Sequence, residues 1–193
     1  MFVYPLSAKP EESLRTMVVG RATDKNTDHS YIDNLYSSLF TPIRHSVKAV
    51  LEIGVDAGGS VRLWQDFFVS ANIYGIDVNP HAQINDAPRI RTWLMNAYSA
   101  EAAATIPEQL DIIIDDGPHT LVSILELFKY YPQKLKAGGL LIVEDVQTLD
   151  WFPTLIAELP ADIVRDTLVY DMREVRPRYD DVALVWRKPN NQI

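Results

Sequence analysis

The 193-residue chain contains no cysteine, which removes disulfides and thiolate metal centres from consideration. Long apolar runs are missing too: none approaches the roughly 18 residues that a membrane-spanning helix needs. The first residues, Met1-Phe2-Val3-Tyr4-Pro5, show no basic stretch followed by an apolar core, so they do not read as a signal peptide. Basic charge is scarce: 18 Lys and Arg stand against 26 Asp and Glu, a net charge of -8. Such a balance argues against nucleic acid as the main partner and is compatible with a cation-binding site. Internal repeats and low-complexity tracts are absent. The expectation is a cytoplasmic protein with neither a membrane nor a nucleic-acid partner.

What is present is an apolar content of 47%, enough for one well-filled domain. It is organised around the stretch from Ala49 to Trp64. Four apolar residues among Ala49-Val50-Leu51-Glu52-Ile53 read as a buried parallel strand, which the following glycines break. Ser60 is placed to cap a helix whose apolar positions are Val61, Leu63, Trp64, Phe67 and Phe68. A strand, a tight glycine turn and a helix N-terminus form a cradle in which a ligand can approach the backbone. The dinucleotide pattern G-x-G-x-x-G is not there; the spacing is Glu52-x-Gly54-x-x-x-Gly58-x-Ser60. That pattern resembles the first motif of class I S-adenosylmethionine (SAM) methyltransferases. A second buried strand, Ile73 to Asp77, ends in a carboxylate 19 residues after Gly58, able to accept both hydroxyls of a ribose.

In chain order, a helix is expected from about Pro10 to Val19 with Gly20 as its stop. The polar run Arg21 to Tyr31 is too long for a simple turn, so something should hold it down; beside a cofactor cleft such a run is a candidate lid. A short helix, Ile32 to Phe40, leads to the first strand. Further strands are expected over Arg89–Met95, Leu110–His119 with a charged end, Leu140–Asp145, Ile163–Val169 and Val182–Trp186. Helices are expected from Ser99 to about Thr105, from Thr120 to Lys134 and from Trp151 to Leu159. Asn96 stands at the end of the third strand, where an adenine would lie if Asp77 holds the ribose. Strands alternating with helices predict a mostly parallel sheet covered on both faces, closed by an antiparallel pair.

Acidic residues mark the ends of two otherwise apolar strands: Asp115 and Asp116 after the fourth, Glu144 and Asp145 after the fifth. Adjacent parallel strands hold their ends about 5 Å apart, so these acids need a counter-charge. A single acid there would read as a helix cap or a solvated side chain. Two charged strand ends point instead to Asp116, Glu144 and Asp145 as ligands of a hard dication, Mg²⁺ or Mn²⁺. A Tyr-x-x-x-Lys spacing at Tyr130 and Lys134 is interrupted by Pro132 and does not support a nicotinamide oxidoreductase.

The sequence Asp115-Asp116-Gly117-Pro118-His119, followed by Glu144-Asp145-Val146-Gln147-Thr148, resembles the metal-dependent macrolide and sugar O-methyltransferases of the mycinamicin type. Their usual forms are D-D-G-S-H and E-D-x-Q-T, so Pro118 replaces the usual Ser. The similarity extends to Ser60-Val61-Arg62-Leu63-Trp64 and to Thr23-Asp24-Lys25 with His29, Tyr31, Tyr36 and Phe40, covering roughly residues 21 to 150. It implies a Rossmann-like class I methyltransferase fold: an α/β protein with a seven-stranded sheet in the order 3-2-1-4-5-7-6 and the last strand antiparallel. Residues 1–193 then form one SAM-dependent methyltransferase domain, with 1–46 as N-terminal helices and a candidate lid. It further implies Mg²⁺ on Asp116, Glu144 and Asp145, His119 as catalytic base, and a small-molecule hydroxyl acceptor. Glu52, Gly54, Gly58, Ser60, Asp77, Asn96 and Asp115 fall on the cofactor side, with His29 and Tyr31 as a lid over the SAM methionine. A phenolic diol acceptor of the catechol type, a catalytically silent binding module of the same fold, and assembly into a homo-oligomer stay open at this stage. Arg173, Arg176 and Arg178 read as solvated, His45 and His81 as surface residues.

Overall fold

The computed structural model describes residues 12–84 and 86–190. One seven-stranded sheet runs in the order β3-β2-β1-β4-β5-β7-β6. Its strands are β1 (Ala49–Ile53), β2 (Asn72–Asp77), β3 (Ile90–Leu94), β4 (Leu110–Asp115), β5 (Leu135–Val143), β6 (Thr167–Asp171) and β7 (Val182–Arg187). The first five are parallel, and β7 pairs antiparallel with both β5 and β6. Central strands bury both faces, as the unbroken apolar runs require. Val50, Ile112, Leu140 and Val185 point to one layer; Leu51, Ile113, Leu141 and Leu184 point to the other. The first layer is closed by α1 (Leu14–Met17), α2 (Ser37–Phe40) and α3 (Gly59–Phe67); on the opposite face α4 (Ala100–Thr105), α5 (Leu121–Tyr130), α6 (Phe152–Glu158) and α7 (Ala161–Asp166) contribute. Among the described residues no helix is long and apolar enough to cross a membrane.

Several element boundaries depart from the sequence expectation, each for a local reason. The first helix is only Leu14–Met17, capped by Ser13; Pro10 and Glu11 lie outside the described residues. The expected helix Ile32 to Phe40 begins as a π-helical turn, Ile32–Tyr36, and becomes α2 only at Ser37. The helix after β4 stops at Tyr130 because Pro132 cannot continue it, and a 3₁₀ turn follows. Strand β5 starts at Leu135, ahead of the glycines, with a register shift against β4 between Leu110 and Ile112. The strand expected from Ile163 is α7 up to Asp166, and β6 starts at Thr167: Pro160 starts the helix, and only Ile163 of its residues is buried. Ser60 does not cap α3; the cap is Gly58 at φ +80°, and Ser60 sits inside the first turn.

The polar stretch 21–31 is held down as anticipated. Below it, Tyr36 and Phe40 pack their rings on Trp64 at 5.1 and 5.4 Å, and Phe40 reaches Phe68 at 5.3 Å. Each such pair adds about 0.5–1.5 kcal/mol beyond the area it buries. This aromatic cluster fixes the N-terminal segment on α3, and through it positions Lys25, His29, Ser30 and Tyr31, all buried.

Candidate active site

At the carboxyl ends of β1, β2 and β4 lies a cavity of about 1000 Å³. Gly54, Ser60, Asp77, Asn96 and Asp116 line it, and the roof is Arg21, Ala22, Thr23, Asp24 and Thr27. Gly54 has φ +86°, and a Cβ there would lie 1.8 Å from the Asp116 carbonyl oxygen, so the loop after β1 can touch the loop after β4 only as glycine. Gly59 plays the same part for the roof: a Cβ on it would meet the Ala22 carbonyl at 1.8 Å. Asp77 accepts backbone N–H bonds from Val55 (2.7 Å), Asp56 (3.0 Å) and Asn79 (2.7 Å). Partial burial opposes its charge, but those donors outweigh burial and hold the carboxyl below the usual aspartate range.

Not every residue expected on the cofactor side reaches the cavity. Glu52 lies fully buried beneath the loop, accepting from Trp64 Nε1 at 3.0 Å. Asp115 is buried behind Tyr98, whose hydroxyl donates to it. Gly58 turns toward the Ile84 side chain. His29 and Tyr31 are not part of the roof. The ring of His29 stacks on Tyr31 at 4.9 Å, and both face the acidic strand ends. Tyr31 donates to Asp145 at 2.5 Å and accepts from the Asp145 backbone N–H at 3.0 Å. His29 Nδ1 lies 3.3 Å from Asp145 Oδ1 and 3.5 Å from Asp181 Oδ1, while Ser30 donates to Asp181 at 2.8 Å.

Asp116 belongs both to the cavity wall and to a second constellation. One ligand atom each from Asp116, His119 and Asp145 can be chosen so that all lie within 4.8 Å of one another. His119 Nε2 is 3.6 Å from Asp145 Oδ2 and 3.8 Å from Asp116 Oδ1. His119 and Asp145 both have positive φ, +50° and +54°, so the two turns leaving β4 and β5 carry backbone strain at the residues they present. Glu144 faces the other way, accepting from the Tyr36 hydroxyl and from Lys25 Nζ. Lys25, 1% exposed, also donates to Asp116 Oδ2 at 2.7 Å and lies 3.5 Å from Glu52 Oε1. Burial alone would strip its proton, but the facing charges of Asp116, Glu144 and Glu52 outweigh that and keep it charged well above the ordinary lysine range.

The sequence presents Lys25 only as part of a motif, and it does not single out Tyr36 or Tyr98 as partners of site acids or give Asp181, at the end of the linker before the last strand, a role in the site. Asp180 and Asp181 precede the apolar strand β7 just as the site acids follow theirs, a signal that was available. Arg176, expected to be solvated, instead donates to the carbonyls of Asn26 and Thr27 and ties the terminal hairpin to the roof segment.

Burial has a measurable consequence for the acids. Glu52 is pushed up to about 7 by burial, against the opposing pull of Lys25, and Asp115 to about 7 by burial against the Tyr98 hydrogen bond. The folded protein therefore holds these protons more tightly than the unfolded chain. Its stability in EDTA is expected to fall as pH rises from the ordinary glutamate value of 4.5 to about 7. At about 1.4 kcal/mol per unit, Glu52 alone contributes about 3 kcal/mol to that decline. Thermal melts across the window test it: Glu52→Gln, which imitates the protonated acid, should flatten the slope, and an unchanged slope would remove Glu52 as its cause.

Residues 51–146 match a family model described as a methyltransferase domain. Similar curated proteins include the 8-demethyl-8-alpha-L-rhamnosyl tetracenomycin-C 2'-O-methyltransferase of Streptomyces olivaceus, 30% identical over 148 residues that make up 72% of this chain and 39% of that protein. The mycinamicin VI 2''-O-methyltransferase of Micromonospora griseorubida is 33% identical over 126 residues, 60% of this chain and 31% of that one. The solved structure of the MycE methyltransferase from the mycinamycin biosynthetic pathway, in complex with Mg, SAH and mycinamycin VI, superposes with a TM-score of 0.72 at 25% identity. That match covers 95% of this chain and 56% of that chain. The sequence matches thus span 39% and 31% of these two curated relatives, and the structural match about half of the solved chain. By family model and by fold, it carries a class I methyltransferase domain that resembles the macrolide and sugar O-methyltransferases.

Proposed function

We propose that the chain is a SAM- and Mg²⁺-dependent O-methyltransferase acting on a hydroxyl of a sugar or other small diol-containing metabolite. The observation that carries this reading is the sharing of Asp116 between the cofactor-sized cavity and the cluster with His119 and Asp145. In this reading residues 1–193 work as one domain in the cytoplasm, with no nucleic-acid or membrane partner, and a homo-oligomer is compatible with it.

The cavity holds SAM, with Asp77 toward the ribose, Asn96 toward the adenine, Gly54 and Ser60 along the floor and the segment 21–27 closing over it. Asp116 and Asp145 would hold the ion, and Glu144 would join them by giving up the Tyr36 hydroxyl that now occupies its Oε1; the donor set is carboxylate oxygen in net negative surroundings, which suits Mg²⁺. When bound, the ion lowers the pKa of a coordinated acceptor hydroxyl. His119 Nε2, beside Asp116 and Asp145, takes the proton from the acceptor hydroxyl as its oxygen bonds to the SAM methyl carbon and the methyl–sulfur bond breaks, leaving SAH. Tyr31 orients Asp145 from below through its two hydrogen bonds. The relatives' sugar-linked acceptors favour a sugar hydroxyl over a phenolic one.

Calorimetry with SAM, its demethylated product SAH and NAD tests the cofactor. SAM and SAH are expected to bind and NAD to be silent; micromolar NAD binding with silent SAM would overturn the reading. Transfer of labelled methyl to a rhamnosylated aglycone against catechol then decides the acceptor class, with the glycoside as the expected product.

A further inference from the structure

Lys25 takes no part in the chemistry just described, yet among the described residues it is the most enclosed lysine or arginine. Its ammonium, 1% exposed, grips one oxygen from each of two proposed metal ligands: Oδ2 of Asp116 at 2.7 Å and Oε2 of Glu144. The remaining oxygens have separate duties. Asp116 Oδ1 is turned toward His119, at 3.8 Å, and Glu144 Oε1 accepts from Tyr36. Lys25 also stands between Asp24 and the segment through Thr27 that roofs the cofactor cavity, and its backbone carbonyl accepts from Ile32 N at 3.2 Å, joining the roof to the helical turn behind it. One side chain therefore connects the roof of one site to the ligands of the other.

We propose that Lys25 is a positioning residue that couples closure over SAM to assembly of the metal site. With the roof down, its ammonium holds the carboxylate of Asp116 with Oδ1 facing His119 and Asp145; with the roof raised, Asp116 and Glu144 lose their common donor and repel one another. Groups that hydrogen-bond a metal ligand's second atom typically govern metal affinity by about 10- to 100-fold. Because the link is an equilibrium one, it works in both directions: each ligand tightens the other by the same factor. This inference rests on the metal-dependent reading above.

The test is binding, not turnover. SAH is titrated into the wild-type protein in EDTA and in saturating Mg²⁺, and Mg²⁺ into the protein with and without SAH. SAH is expected to bind at least about 5-fold tighter with Mg²⁺ present, the lower end of ordinary coupling. Lys25→Met should lower Mg²⁺ affinity by about 10- to 100-fold and bring the coupling factor close to one, while Lys25→Arg, which keeps the charge, should restore part of it. A general loosening of the fold would weaken each affinity without erasing their ratio. If wild-type SAH affinity ignores Mg²⁺, the inference fails whatever the variants do. It also fails if Lys25→Met binds Mg²⁺ as well as or better than wild type, since the ammonium would then be a competitor of the ion. Mg²⁺ binding with no coupling sinks this inference alone; a wild-type protein that binds no Mg²⁺ sinks the metal-dependent reading as well.

Discussion

Chelation by EDTA is expected to abolish methyl transfer, with Mg²⁺ restoring it and Mn²⁺ able to substitute. The reason lies in the acceptor. The methyl of SAM sits on a sulfonium and needs only an in-line oxygen, but a sugar hydroxyl is far too weak an acid to ionise unaided at neutral pH. The local charge also calls for a cation: Lys25 is a single ammonium facing Asp116, Glu144 and Glu52, with Asp145 close by, and burial pushes both Glu144 and Asp145 upward. Asp116→Asn removes one negative charge and one oxygen donor facing His119. It should raise the Mg²⁺ concentration needed for half-maximal rate by at least about 100-fold, the upper end of what outer-shell changes do. SAH affinity measured in EDTA should stay near wild type, because the backbone of Asp116, not its carboxylate, meets the glycine loop. Activity assays over a metal titration, paired with SAH calorimetry, separate the two effects. Full activity in EDTA would mean that the acids serve structure alone.

The parts of the fold that were legible before the structure are those where one signal dominates. Strands β1, β2, β4 and β7 are near-continuous apolar runs, and nothing but a sheet buried on both faces accommodates them. The misread stretch from Ile163 shows where that logic stops: Ile163-Val164 and Leu168-Val169 are two apolar pairs, and only Pro160 and the polar Arg165-Asp166 between them say that the first pair belongs to a helix. Ser60 shows a different failure. A serine after glycines is a good cap by preference, but Gly58 can take φ +80°, which moves the helix start back and turns Ser60 inward.

In the site, the strand-end acids were legible because charge at the end of an apolar run stands out against its background. Their partners were not, because they arrive from far away in sequence: Lys25 is 119 residues from Glu144, and Tyr31 is 114 from Asp145. A polar loop offers many candidates for such a contact and no periodicity to choose among them. The segment 21–31 was recognisable as something that had to be held down, and its split duty was not. Residues 21–24 and 27 roof the cavity, while 25, 29 and 31 turn under toward the acids.

Replacing His119 is expected to lower kcat by about 10²- to 10⁴-fold, the usual contribution of a general base, with SAH and Mg²⁺ affinities retained. Its place explains why. His119 follows Asp116 on the turn leaving β4, its Nε2 lies within 4 Å of oxygens from both Asp116 and Asp145, and about a quarter of its side chain stays open to an incoming acceptor. Those distances are longer than hydrogen bonds, so the ring is free to take a proton from a hydroxyl that reaches it. Mg²⁺ prefers oxygen donors, which leaves the imidazole for acid–base work and not for ligation. The backbone complicates the choice of variant, because φ is +50° here and alanine would add strain of its own. His119→Asn avoids this, since asparagine accepts the left-handed region; equal kcat losses in His119→Ala and His119→Asn would place the effect in the ring. If kcat stays near normal, or if the loss disappears at higher Mg²⁺, the ring is a ligand or a cap, and the proton leaves the acceptor by another route.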